Sequence, residues 1–156
     1  TDDPNYKMNP PLRTQKDVDA LIAGLKDGSF QVISTDHAPH AAADKTGSIR
    51  DAAFGIVGIE TSFALTYTAL VETGILTLTQ LVEKMSWNPA QILKSDRGTL
   101  QEGHPADVVI ADIDTEYEID KTKFASKGRN TPFDGWKVKG KILYTICDGK
   151  VVYQNA

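Results

Sequence analysis

The sequence has little cysteine, no long apolar run and no excess of basic residues, and each absence excludes a class of protein. Its 156 residues include one cysteine, Cys147, which excludes an internal disulfide framework and favours a reducing compartment. The apolar runs are far shorter than the roughly 20 residues that a membrane-spanning helix needs. The 17 Lys and Arg against 21 Asp and Glu give a net charge of −4, and no basic stripe for phosphate contacts is present. We therefore expect a cytoplasmic protein that binds neither nucleic acid nor a membrane.

The composition is that of an ordinary globular protein and allows one domain or two small ones. Hydrophobic residues make up 40% of the chain and charged residues 24%, which excludes a disordered protein. The first residues include no initiator Met and no apolar signal region, so we expect a part of a longer polypeptide. The patterns divide the chain into residues 1–97, which alternate helix and buried strand, and residues 98–156, which favour strands and turns.

Capping residues and apolar spacing predict helices in residues 1–97. Thr14 and Asp17 match a capping box, apolar residues then recur at helical spacing, and Gly28 ends the helix. A second helix follows, and a third begins at Thr77 with another capping box. Asn88, followed by proline, is predicted as the N-cap of a short last helix.

Short apolar runs predict strands in both parts. Residues 30–35 are mostly apolar and partly β-branched, as in a buried parallel strand. Residues 108–111 predict a strand in the second part. The Asp148–Gly149 pair between two β-rich runs predicts a hairpin, in which Cys147 is expected to be a small core residue.

Polar residues follow the predicted strand at its C-terminal end. Asp36, His37 and His40 lie where parallel strands of α/β folds present their functional groups. A carboxylate there can bind a divalent metal and accept a proton from water. The alternative is a capping Asp followed by two surface histidines, because one Asp and two His are too few for a closed zinc site. The residues alone leave both interpretations open.

A rigid polar turn is predicted at residues 7–13. Pro10 and Pro11 break any helix and hold Asn9 in extended backbone, just after a strand end predicted at residues 6–8. The amide of Asn9 then has a donor and an acceptor at a fixed place, which suits a polar ligand. On the residues alone, a rigid loop before the first helix is the favoured explanation.

The glycine-containing segment at residues 54–58 lacks the spacing of a phosphate-binding loop. The backbone of Phe54 and Gly55 can still approach a ligand closely, because glycine has no side chain. The loop before it, at residues 41–48, is flexible by composition.

Three segments together resemble bacterial dihydroorotases, a family within the amidohydrolase superfamily; they are residues 7–13, 34–40 and 54–61. Further resemblance lies at residues 88–90, 98–107 and 130–133, so that nearly the whole chain is covered in the family's order. Asn9 and His40 favour dihydroorotases over the related hydantoinases and allantoinases. Ala53 is a departure, because the family has proline there.

The resemblance implies reversible hydrolysis of L-dihydroorotate to N-carbamoyl-L-aspartate in pyrimidine biosynthesis, with one or two zinc ions that activate the attacking water. Asp36 is implied as a metal ligand and as the general base that returns the proton to the leaving amide nitrogen. Asn9, His40 and the backbone of Phe54 and Gly55 are implied to bind the substrate, with His40 facing its carboxylate.

The same resemblance implies a fold: the last two β/α units of a TIM (β/α)8 barrel in residues 1–97, and strands of a small β-sandwich domain in residues 98–156. A whole barrel needs roughly 250 residues, and the family's other metal-ligating histidines are absent from this sequence. We therefore expect a carboxy-terminal fragment that is inactive alone and needs the remainder of its own polypeptide. A homodimer is a further expectation. The alternatives are a non-catalytic homologue that acts as a scaffold beside aspartate transcarbamoylase, and a related hydantoinase or allantoinase.

Overall fold

The computed structural model of the chain describes residues 2–155, which form a mixed α/β structure. Contacts divide these residues into two compact units. The first contains the described parts of Thr1–Leu21, Thr35–Phe63 and Glu118–Lys137, and the second those of Ile22–Ser34, Ala64–Tyr117 and Val138–Ala156. Each unit includes residues from both sides of position 97, and the predicted division at residues 97 and 98 stays a prediction.

The helices are short, and two of them continue into wider turns. They are α1 (Gln15–Asp27), α2 (Ser62–Thr66), α3 (Leu78–Val82) and α4 (Asn88–Ile92). The chain continues α2 as the π-helical segment Tyr67–Val71, and α3 as the π-helical segment Glu83–Trp87. Single 3₁₀ turns are formed by Pro4–Tyr6, Ala42–Lys45 and Lys121–Lys123. Among residues 2–155, no helix is long and apolar enough to cross a bilayer.

The capping box predicted at α3 is confirmed, and at α1 the predicted bond from Asp17 back to Thr14 is present. The Thr14 N–H donates to Oδ2 of Asp17 at 3.0 Å, and α1 ends before Gly28, whose φ is +85°. At α3 the Gln80 N–H donates to Oγ1 of Thr77 at 3.2 Å, and the Thr77 N–H donates to Oε1 of Gln80 at 2.8 Å. The α3 pair satisfies two backbone donors reciprocally, whereas at α1 the Asp17 N–H donates to the carbonyl of Thr14 at 3.0 Å and not to its side chain.

The prediction that Asn88 caps a separate helix is wrong. Its backbone is helical, with φ −62° and ψ −44°, and the π-helical segment runs directly into α4. The side-chain amide of Asn88 donates instead to the carbonyl of Gln31 at 2.9 Å. The wide π turn makes room for Pro89, whose ring would otherwise clash with the preceding turn, so the helix is not interrupted.

Residues 30–35 do not form the predicted strand. Within them, the Ile33 N–H donates to the carbonyl of Lys84 at 3.0 Å, which is a contact to a helix rather than to a strand. Just beyond, His37 forms an isolated parallel bridge with Ile56. A strand needs a neighbour along its length, and this segment has one only at a single position. The strand end predicted at residues 6–8 is likewise absent, and a 3₁₀ turn ends at Tyr6.

The strand predicted at residues 108–111 and the two strands predicted around Asp148 and Gly149 are present, as β1 (Val108–Asp112), β4 (Lys141–Cys147) and β5 (Lys150–Gln154). Two short strands, β2 (Tyr117–Glu118) and β3 (Lys137–Val138), were not predicted. The assignment of these strands to a small β-sandwich domain stays a prediction. An antiparallel sheet has the order β1–β4–β5, and β2 pairs with β3. The hairpin turn between β4 and β5 has φ +48° at Asp148 and φ +76° at Gly149, the left-handed geometry that an Asp-Gly pair supplies. Cys147 is exposed rather than buried, because it ends β4 beside this turn.

Candidate active site

One predicted substrate-binding side chain, that of His40, contacts the backbone of Phe54 and Gly55 in the first unit. Nε2 of His40 lies 2.7 Å from the carbonyl oxygen of Phe54, and the Gly55 N–H donates to the carbonyl of Lys7 at 2.9 Å. The peptide unit between Phe54 and Gly55 is therefore bound at both of its polar atoms. It joins the segment that contains Asn9 to the segment that contains His40.

Gly55 is required at this position for steric reasons. Its φ is +135°, a conformation that residues with a side chain rarely adopt. A Cβ atom there would lie 2.5 Å from Cβ of Ala38 and 3.1 Å from Nε2 of His40. The absence of a side chain allows the two segments to approach each other this closely.

The Gly55 carbonyl accepts two hydrogen bonds from buried side chains. Nζ of Lys45 and Nδ2 of Asn130 each donate to it at 3.0 Å. Together with the bond made by its N–H, this engages every polar atom of Gly55 inside the protein. The backbone of Phe54 and Gly55 was predicted to bind the substrate. Its one polar group that is still available is the Phe54 N–H, for which the described residues provide no partner.

Lys45 is a buried cation that is solvated by the backbone. Its Nζ donates to the carbonyls of Ala53 at 2.9 Å and Gly55 at 3.0 Å, and lies 3.5 Å from that of Lys7. Burial lowers the pKa of Lys45 from its ordinary value, and the nearby charge of Lys7 lowers it further. The three carbonyl dipoles replace the water that the ammonium group loses.

Asn130 connects the segment of Ala38 and His40 to Gly55 through its side chain, which is buried and 4% exposed. Its Oδ1 accepts the His40 N–H at 2.9 Å, and its Nδ2 donates to the carbonyls of Ala38 at 2.9 Å and Gly55 at 3.0 Å. Its own carbonyl accepts the Val57 N–H at 3.0 Å. Since the amide has two donors and both are used, its orientation is determined by these bonds.

His37 has a structural partner on the backbone. Its Nδ1 accepts the N–H of Gly58 at 3.0 Å and lies 3.3 Å from that of Ile59. Because a backbone N–H can only donate, Nδ1 is unprotonated and the ring proton is on Nε2. His37 thus supports the start of the segment that leads into α2.

Asp36 is an exposed carboxylate on a strained backbone. Its φ is +45°, which is uncommon for a residue with a side chain, although aspartate tolerates it better than most. The structure records no hydrogen bond from Asp36 or Asn9 to the other predicted site residues within residues 2–155. Asn9 is exposed and precedes Pro10 across a cis peptide bond.

An apolar cavity of about 420 Å³ lies beside this backbone, within the first unit. Its lining consists of Tyr6, Lys7, Met8, Pro11, Leu12, Ile49 and Phe54. The Lys7 ammonium lies 4.5 Å from the centre of the Phe54 ring, a cation–π distance. The cavity therefore combines apolar walls with one positive charge.

Comparison with known proteins identifies the family. The model of the amidohydrolase family matches residues 8–152. The chain belongs to the amidohydrolase family. The matched range contains all of the predicted site residues, which are Asn9, Asp36, His40, Phe54 and Gly55.

The curated relatives of this amidohydrolase chain include proteins named dihydroorotase. One from Brevibacillus brevis is 56% identical over 98% of the chain, and one from Lactiplantibacillus plantarum is 54% identical over 97%. The chain spans 36% of the length of either relative. The resemblance to dihydroorotases inferred from the motifs is thereby confirmed.

Solved structures similar to this amidohydrolase chain include hydantoinases. The L-hydantoinase of Arthrobacter aurescens is 35% identical with a TM-score of 0.91, over 97% of the chain and 35% of its own. A D-hydantoinase from a Thermus species is 26% identical with a TM-score of 0.87. The backbone fold is thus shared by enzymes with different names.

The donors of the described residues do not make a metal site by themselves. No group of three or more His, Cys, Asp or Glu in residues 2–155 is arranged to hold an ion. The exposed carboxylate of Asp36 fits a single oxygen ligand, and both nitrogens of His37 are accounted for by its backbone bonds and its proton. The further ligands of a zinc ion would have to come from outside this amidohydrolase segment.

Sequence reasoning missed Lys45 and Asn130. Asn130 lies in the family-like segment at residues 130–133, so a signal existed, but its role depends on contacts across the fold. Lys45 lies in a loop predicted as flexible, and that loop is instead tied to the site by its ammonium group. The Ala53 N–H donates to the carbonyl of Asp44 at 2.8 Å, a bond that the family's proline could not make.

Proposed function

We propose that this chain is the carboxy-terminal part of a dihydroorotase, which hydrolyses L-dihydroorotate reversibly to N-carbamoyl-L-aspartate in pyrimidine biosynthesis. Residues 1–97 would supply the last two β/α units of a (β/α)8 barrel, and residues 98–156 strands of a small β-sandwich domain. The proposal is supported by the relatives named dihydroorotase, which are more similar in sequence than the hydantoinases.

The observation that carries the proposal is the backbone junction at Phe54 and Gly55. This junction holds the segments of Asn9 and His40 against one another through the bonds to Lys7 and His40. Dihydroorotate has a ring with amide donors and acceptors and one carboxylate. Asn9 offers an amide and the Phe54 N–H a free donor for the ring, while the imidazole of His40 is the group assigned to the carboxylate.

Asp36 is assigned as the general base. Water attacks the ring amide carbon, Asp36 takes one proton from that water, and the carbon–nitrogen bond breaks. Asp36 then delivers the proton to the leaving nitrogen, which becomes the terminal NH2 of the carbamoyl group, while the attacked carbon becomes a carboxylate. An exposed carboxylate, held on a left-handed backbone, can serve both steps in sequence.

Zinc, one or two ions, belongs to the same proposal, with Asp36 as one ligand. A bound zinc ion would supply Lewis-acid activation of the water and of the amide carbonyl. The other ligands are assigned to the remainder of the polypeptide, which also completes the barrel. A homodimer and a cytoplasmic location are further parts of the proposal.

Hydantoinase activity is a second candidate, since the L-hydantoinase structure has a TM-score of 0.91 to this chain. Hydantoins and dihydrouracil lack the ring carboxylate of dihydroorotate, so His40 would then have no anionic partner. A non-catalytic scaffold beside aspartate transcarbamoylase is the alternative from another class.

The deciding experiment compares three cyclic amides. The complete polypeptide that includes this chain is loaded with zinc and assayed for opening of dihydroorotate, hydantoin and dihydrouracil. We expect kcat/KM to be highest for dihydroorotate. A preference for hydantoin or dihydrouracil would support the second candidate, and absence of turnover on all three, with binding to aspartate transcarbamoylase, would support the scaffold.

A further inference from the structure

Two buried side chains that the motifs left without a role meet at one atom of the site. Lys45 and Asn130 are 7% and 4% exposed, and both donate to the Gly55 carbonyl at 3.0 Å. A carbonyl oxygen has two lone pairs, so these two donors use its full capacity. The two residues are 85 positions apart in sequence, and their convergence is a property of the fold.

The remaining bonds of the same side chains reach each segment of the site. Lys45 donates to the carbonyl of Ala53 and approaches that of Lys7, which lies two residues before Asn9. Asn130 accepts the His40 N–H and donates to the carbonyl of Ala38. Both side chains therefore connect the Phe54–Gly55 backbone to its neighbours on the ligand-binding segments.

Burial of the Lys45 ammonium is costly, and among residues 2–155 no carboxylate is recorded within ion-pair distance of it, although the charge of Asp3 acts on it from farther away. A buried charge is normally paired, because leaving water costs several kcal/mol. Here backbone carbonyls take the place of a counter-ion, and burial lowers the pKa of Lys45. A methionine of similar length would fill the same space without that cost, so packing alone does not explain a lysine.

We propose that Lys45 and Asn130 are paired positioning residues that fix the Phe54–Gly55 backbone for binding of a cyclic amide. The inference rests on the proposed function only for the class of ligand. Bonds from His40 and Lys7 fix the Phe54–Gly55 peptide, and those from Lys45 and Asn130 fix the next peptide plane through the Gly55 carbonyl. The Phe54 N–H belongs to the preceding peptide plane, whose Ala53 carbonyl accepts from Nζ of Lys45 at 2.9 Å, and it remains as an oriented donor for the ligand.

The test is a double-variant cycle in the complete zinc-loaded enzyme. Lys45→Met and Asn130→Ala should each raise KM about tenfold, since each removes a hydrogen bond that orients the binding backbone, while kcat changes less than about threefold. The double variant should raise KM by less than the product of the two single effects, because both side chains act on the Gly55 carbonyl, although each also has bonds of its own. Lys16→Met and Asn155→Ala are matched controls, and we expect both to keep the wild-type KM.

More conservative variants and a second measurement test the proposal even if the first variants do not fold. Lys45→Gln and Asn130→Asp keep side chains of similar size, and amide hydrogen exchange reports on residues 53–57 against α3 in each variant. We expect faster exchange at residues 53–57 and unchanged exchange at α3. An unchanged KM, multiplicative effects in the double variant, or equal acceleration at both places would overturn the proposal.

Failure of the proposed function would give a different result. KM is measured on whichever of dihydroorotate, hydantoin or dihydrouracil the wild type opens, so a substrate other than dihydroorotate contradicts the proposed function and still tests the positioning role. If the wild type opens none of them, the exchange at residues 53–57 decides the inference alone.

Discussion

Nε2 of His40 donates a hydrogen bond to the carbonyl oxygen of Phe54, with 2.7 Å between the two atoms. A carbonyl oxygen can only accept, so Nε2 carries a proton and Nδ1 is the ring atom left for a ligand. The bond to Phe54 therefore determines which ring nitrogen of His40 is available to a ligand.

The first prediction concerns substrate choice by His40. We expect His40→Ala in the complete enzyme to lower kcat/KM for dihydroorotate by roughly tenfold to a hundredfold, because a hydrogen bond to a charged group contributes about 1.5–3 kcal/mol. Turnover of dihydrouracil, which lacks the carboxylate, should be poor and little changed. Zinc content should stay near that of the wild type.

His40→Gln is the matched variant. Its amide can replace the donor to Phe54 but places no group at the position of Nδ1, so we expect the same selective loss on dihydroorotate. Equal losses on both substrates, or loss of zinc, would show that His40 has a structural or metal-binding role instead.

The second prediction concerns Gly55. Gly55→Ala should lower the thermal unfolding midpoint markedly, because the new Cβ meets Cβ of Ala38 at 2.5 Å and φ is +135°. We expect a cost of about 2 kcal/mol or more. Gly47→Ala is the control, since its φ is +79° and its Cβ would have nothing within 4 Å; it should cost only about 1–2 kcal/mol. Equal midpoints for the two variants would contradict the close approach at Gly55.

How much the sequence predicted depended on the distance between interacting residues along the chain. The capping pair of Thr14 and Asp17 and the turn at Asp148 and Gly149 were predictable, because neighbouring residues determine them. The prediction of a strand at residues 30–35 was wrong, because an apolar run does not specify a partner strand. The Asn130 bond to Gly55 joins residues 75 positions apart, which no local pattern reveals.

The third prediction concerns Asp36 as the general base. Asp36→Asn in the complete enzyme should lower kcat by several orders of magnitude, because an amide cannot take up the proton and is a poorer metal ligand. The fold should be retained, since Asp36 is exposed and asparagine also tolerates a left-handed backbone. Asp44→Asn, an exposed carboxylate in the next loop, serves as the control in the same turnover assay. Retention of more than about a tenth of wild-type turnover, less than ~1.4 kcal/mol in barrier, would exclude the catalytic role.

The fourth prediction concerns pH and the turn that Asp107 supports. The N–H of Asp148 donates to Oδ1 of Asp107 at 2.8 Å, and the Arg97 guanidinium contacts Oδ2. These bonds, that of the Asp148 N–H first, hold the pKa of Asp107 below its ordinary value. A lowered pKa in the folded state stabilises the protein above the unfolded value of about 3.9, and this contribution is lost as the pH falls through the folded pKa.

Asp107→Asn should therefore lower the unfolding midpoint at neutral pH, and its difference from wild type should shrink at low pH. Thermal scans from about pH 7 down to about pH 3, below the ordinary aspartate value, measure this. Glu102→Gln, at an exposed position, is the control. A difference that stays constant over the whole range would show that the Asp107 carboxylate charge does not stabilise the turn.

The last prediction concerns this chain produced alone. Strands β1 and β5 expose apolar side chains, with Val109 57%, Val152 63% and Tyr153 48% accessible. Exposed apolar side chains on a sheet promote aggregation and are normally covered by other parts of the protein. We expect the isolated 156-residue polypeptide to aggregate, or to melt without a cooperative transition, and the complete polypeptide to be monodisperse. Light scattering after size exclusion and a thermal scan measure both properties.

A matched variant, Val109→Thr with Val152→Thr, should reduce aggregation of the isolated chain, because it makes both edge strands more polar. A monodisperse wild-type monomer that melts cooperatively would mean that these faces need no covering, and would contradict the proposal that the remainder of a longer polypeptide completes the fold.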